Sequence, residues 1–120
     1  MQRAGARTQS FADTARRHLA QSLSLLGNVH LARRSPADAE AAFAKAVPVA
    51  RLVGLAAVEA EIQASLGRLA LSRNDPDGAL GHFQDALTLA TRVTQVPLLI
   101  AIHGGRAQAL GAREMYRREI

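Results

Sequence analysis

At 120 residues the chain has room for one domain and not for two, and a chain of this length buries roughly 65% of its unfolded surface, enough for a self-supporting core. The formal charge of +5 rests on arginine, since Lys45 is the single lysine, and the arginines are scattered as pairs and singles with no basic stripe interleaved with aromatics, which disfavours nucleic acid as a partner. With no cysteine, a disulfide framework, a thiol nucleophile and a Cys-ligated zinc are excluded.

Aromatic residues are scarce: Phe11, Phe43, Phe83 and Tyr116, in a background rich in alanine and leucine. Alanine has the best helix propensity and lets helix axes approach, so the expected core is one of closely packed helices. The Val, Ile, Thr and aromatic content on which sheets depend is thin. Arginine in place of lysine, with abundant alanine, fits the codon bias of a GC-rich bacterium, and the absence of cysteine fits a reducing cytoplasm. Arg16-Arg17-His18-Leu19-Ala20 superficially resembles a twin-arginine export signal, but Gln21, Ser22, Ser24, Asn28 and His30 break the apolar stretch behind it. No segment is long and apolar enough to span a membrane.

In chain order, residues 1–9 read as a disordered tail, and Ser10 with Asp13 forms a capping box that starts the first helix near Phe11. Leu19, Leu23, Leu26, Val29, His30 and Arg33 then fall at helical spacings of three and four. Ser35-Pro36 marks a turn, with Ser35 as cap and Pro36 in the first position of a second helix running to about Val53. Pro48 lies inside that helix, where a proline removes a backbone hydrogen bond at a cost of about 3 kcal/mol and usually kinks the axis. A third helix carries Ile62, Leu66, Leu69 and Arg73, and Asn74-Asp75-Pro76 separates it from a fourth, which runs to about Thr94. Val96-Pro97 opens a fifth through Leu98, Ile100, Ala101 and Ile102. At about 18 residues each, such helices are about 27 Å long.

These elements repeat. Laying residues 20–59 on 60–99 without a gap pairs Ala20 with Ala60, Leu26-Gly27 with Leu66-Gly67, Leu31 with Leu71, Arg33 with Arg73 and Pro36 with Pro76. It also pairs Ala39 with Ala79, Phe43 with Phe83, Ala46 with Ala86, Ala50 with Ala90 and Val53 with Val93. The period is therefore 40 residues. Each period is one antiparallel helix hairpin: repeat 1 at about 16–55, repeat 2 at about 56–95, and a half repeat or capping helix at 97–116, all within one domain spanning 10–120. Arg113 keeps the phase of Arg33 and Arg73, and Ala107 that of Gly27 and Gly67. As a cap, the fifth helix would turn Arg106, Gln108, Arg113 and Glu114 to water.

Leu26, Gly27, Ala39, Phe43 and Ala46, and again Leu66, Gly67, Ala79, Phe83 and Ala86, resemble the signature of the tetratricopeptide repeat: a leucine and a small residue on the first helix, then A-x3-F-x2-A on the second. The resemblance covers about residues 16–97 and implies an all-α fold of helix hairpins, an α-solenoid of about five helices and two and a half repeats. The period exceeds the family's usual one and is similar to the longer-helix variants of kinesin light chains and large bacterial transcriptional regulators. The aromatics usual at two first-helix anchor sites are replaced by Leu23 and His30 in one repeat and by Gln63 and Ala70 in the other.

The search for chemistry finds no catalytic set. His18, His30, His82 and His103 do not lie three or four residues apart, no HExxH is present, and His30 reads as a core histidine. His103-Gly104-Gly105 lacks the GxSxG elbow that would make it an oxyanion strip. Asp75-Pro76-Asp77-Gly78 lacks the remaining ligands of a calcium loop and reads as a helix cap. Glu59 and Glu61 point to different helix faces. No enzyme activity, metal or cofactor is expected.

What remains is surface. In the tetratricopeptide family the first helices line a concave groove that receives peptides or helices. The resemblance implies groove positions at Ser24, Asn28 and Leu31, then Glu61, Ala64, Arg68, Leu71 and Ser72, then Gly104, Gln108 and Gly111. Asn28 falls where chaperone-binding members carry a groove asparagine, but Ser24 stands where their carboxylate clamp needs a basic residue, so binding of chaperone tails is not supported. A protein or peptide partner in a bacterial cytoplasm is the leading expectation. A sensor segment of a larger transcriptional regulator is a second, and self-association through Ile102, Leu110, Met115 and Ile120 of the last helix a third.

Overall fold

The computed structural model describes the backbone of residues 2–92 and 96–119, and the side chains of residues 11–92, 98–115 and 117. Five helices follow in chain order: α1 Gln2–Ala32, α2 Pro36–Leu52, α3 Ala56–Ser72, α4 Pro76–Ala90 and α5 Val96–Glu119. No strand occurs among the described residues. The chain divides into two compact units, Met1–Val58 and Glu59–Ile120, and each is described by itself.

The turns explain why the helices stop where they do. After α1, Arg34 adopts φ 59°, its N–H donates to the Leu31 carbonyl at 3.0 Å, and the Ser35 N–H donates to the His30 carbonyl at 2.8 Å. After α3, Asn74 adopts φ 59°, with Asn74 N–H on Leu71 O at 3.0 Å and Asp75 N–H on Ala70 O at 2.9 Å. After α2, Gly54 takes φ 70° and the Leu55 N–H donates to Ala50 O at 2.9 Å. All three are paired six-to-one and five-to-two closures that satisfy the last carbonyls of a helix. Only Gly54 adopts the left-handed conformation without a Cβ penalty, while asparagine tolerates it better than arginine. Arg34→Gly is therefore expected to stabilise unit 1 by about 1 kcal/mol, read as a higher denaturant midpoint at unchanged slope.

The two proline-led starts differ. Asp75 accepts the Gly78 N–H at 3.0 Å through its carboxylate, whereas Ser35 makes no side-chain cap hydrogen bond. The expected serine cap is thus not used, although both starts make the ordinary first helical bond, Ala39 N–H to Ser35 O and Ala79 N–H to Asp75 O, each at 3.0 Å. Asp75→Ala should cost about 1 kcal/mol and Ser35→Ala should stay within experimental error of the parent, a contrast that thermal unfolding measures.

Other boundaries also move. The described helix α1 begins at Gln2, well ahead of the Ser10–Asp13 capping box and through the stretch read as a tail; residues 2–9 hold no proline, so nothing forces a break there. Helix α4 ends at Ala90, short of Thr94, and Val93, Thr94 and Gln95 lie outside the described residues. Helix α5 runs on past the position of Ser72 because Tyr116 stands where the repeats carry Pro36 and Pro76. Helix α2 continues through Pro48. Both Pro48 and Ala44, whose carbonyl loses its partner, are exposed, so water can supply the missing bond. At the matching place in α4, the Thr88 hydroxyl donates back to the Gln84 carbonyl at 3.0 Å.

Packing is built on small residues and one ring per hairpin. In unit 1 the buried face of α1 is Ala20, Ser24 and Gly27, and that of α2 is Ala39, Ala42, Phe43, Ala46 and Ala50. A Cβ at Gly27 would strike the Phe43 ring. The larger apolar residues at helical spacing in the sequence are not that face: Leu19 is 49%, Leu26 45% and Val29 39% exposed, with Leu23 and His30 half-buried. Periodicity marks an apolar stripe, but the closest helix contact goes to the residues that let backbones touch.

In unit 2 the core unites Ala60 and Ala64 of α3, Ala79, Phe83, Ala86 and Ala90 of α4, and Ile102 and Ala109 of α5. Phe83 is held between two glycines, with an added Cβ at Gly67 reaching its ring at 2.7 Å and one at Gly105 at 2.5 Å. From α5 it is Gly105 that meets the ring, while Ala107, which keeps the phase of Gly27 and Gly67, is exposed.

Candidate functional site

Helix α3 is enclosed almost all round: Glu59, Ala60, Ile62, Gln63, Ala64, Ser65, Gly67 and Leu69 are buried. A helix this enclosed has little surface to offer. What it does expose is a narrow strip, Glu61, Arg68 and Ser72, at spacings of seven and four that fall on one line of the helix. Arg68 sits in the middle. Its Nη2 donates to the Ser65 hydroxyl at 3.0 Å, which fixes the guanidinium against its own helix. An arginine carries five N–H donors in a planar fork suited to a carboxylate, and fixing one edge lowers the entropy lost when another edge binds. Ser72, by contrast, spends its hydroxyl on the Leu69 carbonyl at 2.6 Å.

The remaining expected groove positions divide by burial. Asn28, Gly104, Gln108 and Gly111 are exposed, and Leu31 and Leu71 are half-buried. Ser24 and Ala64 are 6% and 2% exposed, so these two are packing positions and present no side chain to a partner. Both fall on the same helix line as the ring-contacting glycines Gly27 and Gly67, three residues ahead of them, which is why they are covered.

One buried polar contact was not legible in advance. Gln63, standing where the family usually has an aromatic, is 7% exposed, and its Oε1 lies 2.9 Å from His82 Nδ1. The pair bridges α3 and α4; with the amide oxygen accepting, Nδ1 carries the proton. The sequence signal available was the unusual polar residue at an anchor position. His82 is thus occupied structurally, His30 is half-buried, and His18 and His103 are exposed. No group of three or more potential metal ligands occurs among the described residues, and no helix among them is long and apolar enough to cross a membrane.

Helix α5 is tied to α4 by more than apolar contact. Arg113 Nη1 lies 3.7 Å from the Asp77 carboxylate, and Arg113 is half-buried rather than fully solvated, as is Arg106; Gln108 and Glu114 face water as expected. Of the four residues proposed for self-association, Ile102 is 0% exposed and belongs to the core. Leu110 and Met115 are 39% and 65% exposed, and Ile120 lies outside the described residues.

Five helices, the first four joined by two tight proline-led turns and one glycine turn, with one phenylalanine wedged against a glycine in each hairpin, define an all-α helical repeat protein. The family model of the tetratricopeptide repeat matches residues 18–92, and the chain belongs to the tetratricopeptide repeat family. Comparison with curated proteins and with solved structures gave no match. The repeat is a non-enzymatic interaction fold that serves protein–protein contact.

Proposed function

We propose that the chain holds a peptide or helix of a partner protein on unit 2, with the α3 strip of Glu61, Arg68 and Ser72 as the anchoring stretch and Leu71 and Gln108 as further contacts; Asn28 and Leu31 of unit 1 are proposed as a separate contact. The observation that carries this is Arg68: an exposed guanidinium, pre-set by Ser65, on a helix otherwise enclosed. The partner chemistry that fits is an acidic side chain or a C-terminal carboxylate, held by charge-assisted hydrogen bonds worth about 1.5–3 kcal/mol. Its setting is a bacterial cytoplasm, on the arginine-for-lysine usage and the absence of cysteine.

The test is affinity capture from the native lysate with the parent chain and with Arg68→Glu. A partner recovered by the parent and weakened about tenfold or more by the variant is the expected result. Recovery that is the same for both chains would remove Arg68 and the α3 strip from the site.

A further inference from the structure

Helix α1 has two opposite faces, and α2 covers one of them. On the covered face Ala20, Ser24 and Gly27 are buried, with the Phe43 ring of α2 against Gly27. A second line lies two residues out of step, about 200° round the helix. It runs Phe11, Ala15, His18, Ser22, Leu25 and Val29, and every one of these is exposed, Phe11 by 82% and Leu25 by 66%. The spacings along it are four, three, four, three and four, the rhythm of a coiled-coil seam. Leu19 and Leu26, also exposed, widen it on one side. One period on, Ile62, Ser65 and Leu69 of α3 are buried, but large and small residues change places, with Ser22 standing for Ile62 and Leu25 for Ser65. The α1 line therefore has a pattern of its own.

That pattern matches itself when reversed. Laid antiparallel about a two-fold axis beside position 20, Phe11 meets Val29 of a second copy, Ala15 meets Leu25, and His18 meets Ser22, each layer occurring twice by symmetry. In the two apolar layers a large side chain lies over a smaller one. In the third, imidazole and hydroxyl share a hydrogen bond, which satisfies both polar groups and fixes the register. Beside the seam, Leu19 meets Leu19 and Leu26 meets Ala12 on one flank, and Gln21 meets Gln21 on the other. A parallel pairing would set each residue on itself, ring on ring at Phe11, imidazole on imidazole at His18, and a gap between two alanines at Ala15.

Charge selects the same partner. The chain carries +5, so two copies repel wherever their arginines coincide. No Asp, Glu, Lys or Arg stands in the seam or at the flanking positions 12, 14, 19, 21, 26 and 28. Arg16 and Arg17 fall on the sides turned from it, and Arg16 is paired with Asp13 at 3.3 Å.

We infer that the Phe11–Val29 face of α1 binds the same face of a second copy of the chain, antiparallel, in a two-fold dimer. The contact is separate from the α3 strip, which lies in unit 2 and recognises charge. About 28 Å long and one helix wide, it is small beside stable interfaces of roughly 1,200–2,000 Å², so a dissociation constant of about 0.1 mM is expected and the monomer prevails at micromolar concentration.

Sedimentation equilibrium of the whole chain, from about 5 µM to about 1 mM, reads this association. The parent should pass from monomer to dimer. Leu25→Glu should weaken the dimer at least tenfold while helical circular dichroism and melting stay as in the parent, since Leu25 is exposed. Ala15→Glu and Leu25→Lys should each self-associate at least tenfold more weakly, and an equimolar mixture of the two should dimerise again. The rescue arises because the antiparallel register sets the new carboxylate at position 15 beside the new ammonium at position 25; a parallel dimer would give none. A mixture that is not rescued, or a chain that stays monomeric at about 1 mM, overturns the inference. A monomeric chain that captures a different protein, and loses it on Leu25→Glu, overturns it and assigns the face to that protein. So does a dimer that Met115→Glu disperses and Leu25→Glu leaves intact, which would place the contact on α5. Arg68→Glu should dimerise like the parent, which separates this face from the α3 strip.

Discussion

Phe83→Ala is expected to lower the stability of unit 2 by about 3–5 kcal/mol, the range for removing a fully buried ring. Phe83 is 1% exposed and is the only aromatic residue among the core residues it joins from three helices, α3, α4 and α5. The neighbours have little with which to fill the space it leaves: Gly67 and Gly105 lie against the ring, and apart from Ile102 the buried residues of the cluster are all alanine. Against a total of about 5–15 kcal/mol for a native protein, that loss leaves little or no fold. Urea unfolding followed by helical circular dichroism measures it. Phe11→Ala provides the contrast: Phe11 is 82% exposed, and its removal should change stability by no more than about 0.5 kcal/mol. If both variants unfold at similar urea concentrations, the ring is not the centre of the hairpin packing.

The second large effect sets two adjacent glycines against each other. Gly104→Ala and Gly105→Ala gain the same helix propensity, about 1 kcal/mol. At Gly104 the new methyl meets open space, and the gain should appear in full. At Gly105 the new Cβ falls 2.5 and 2.6 Å from two atoms of the Phe83 ring, with a third at 3.1 Å. Because the ring is itself pinned by Gly67 on its other contact, it has no direction in which to move freely. Overpacking of this kind costs about 1–3 kcal/mol, so the two variants should differ by that amount, with Gly104→Ala the more stable. Denaturant midpoints of the two proteins, compared at equal slope, give the difference directly. Equal midpoints would mean that α5 does not press on the Phe83 ring.

Much of this was legible in the residues. The gap-free match of Leu26-Gly27, Ala39, Phe43 and Ala46 with Leu66-Gly67, Ala79, Phe83 and Ala86 gave both the period and the hairpin, because a repeat must place the same small residues and the same ring at the same contact each time. The turns were legible for the same reason, Pro36 and Pro76 each following a turn residue and being favoured at the first position of a helix. Less legible was which apolar residues would be covered. Leu19, Leu26 and Val29 have the spacing of a core face yet stand partly exposed, and Ser24 and Ala64, expected on the groove, are buried. Spacing gives the direction in which a side chain points, but burial depends on which element arrives opposite it.

The sequence by itself determined the helix hairpin, its 40-residue period and the recurrence of a glycine and a phenylalanine at fixed offsets, since these depend on local propensity and on residue sizes that repeat. Only the tertiary structure decided that Gly105 meets Phe83, that Gln63 is paired with His82, and that Arg68 is steadied by Ser65. It also decided that the contact line of α5 is open where those of α1 and α3 are closed. Each of these turns on the rotation of one helix about its axis relative to its neighbour, a quantity that residue spacing leaves free and that close packing fixes.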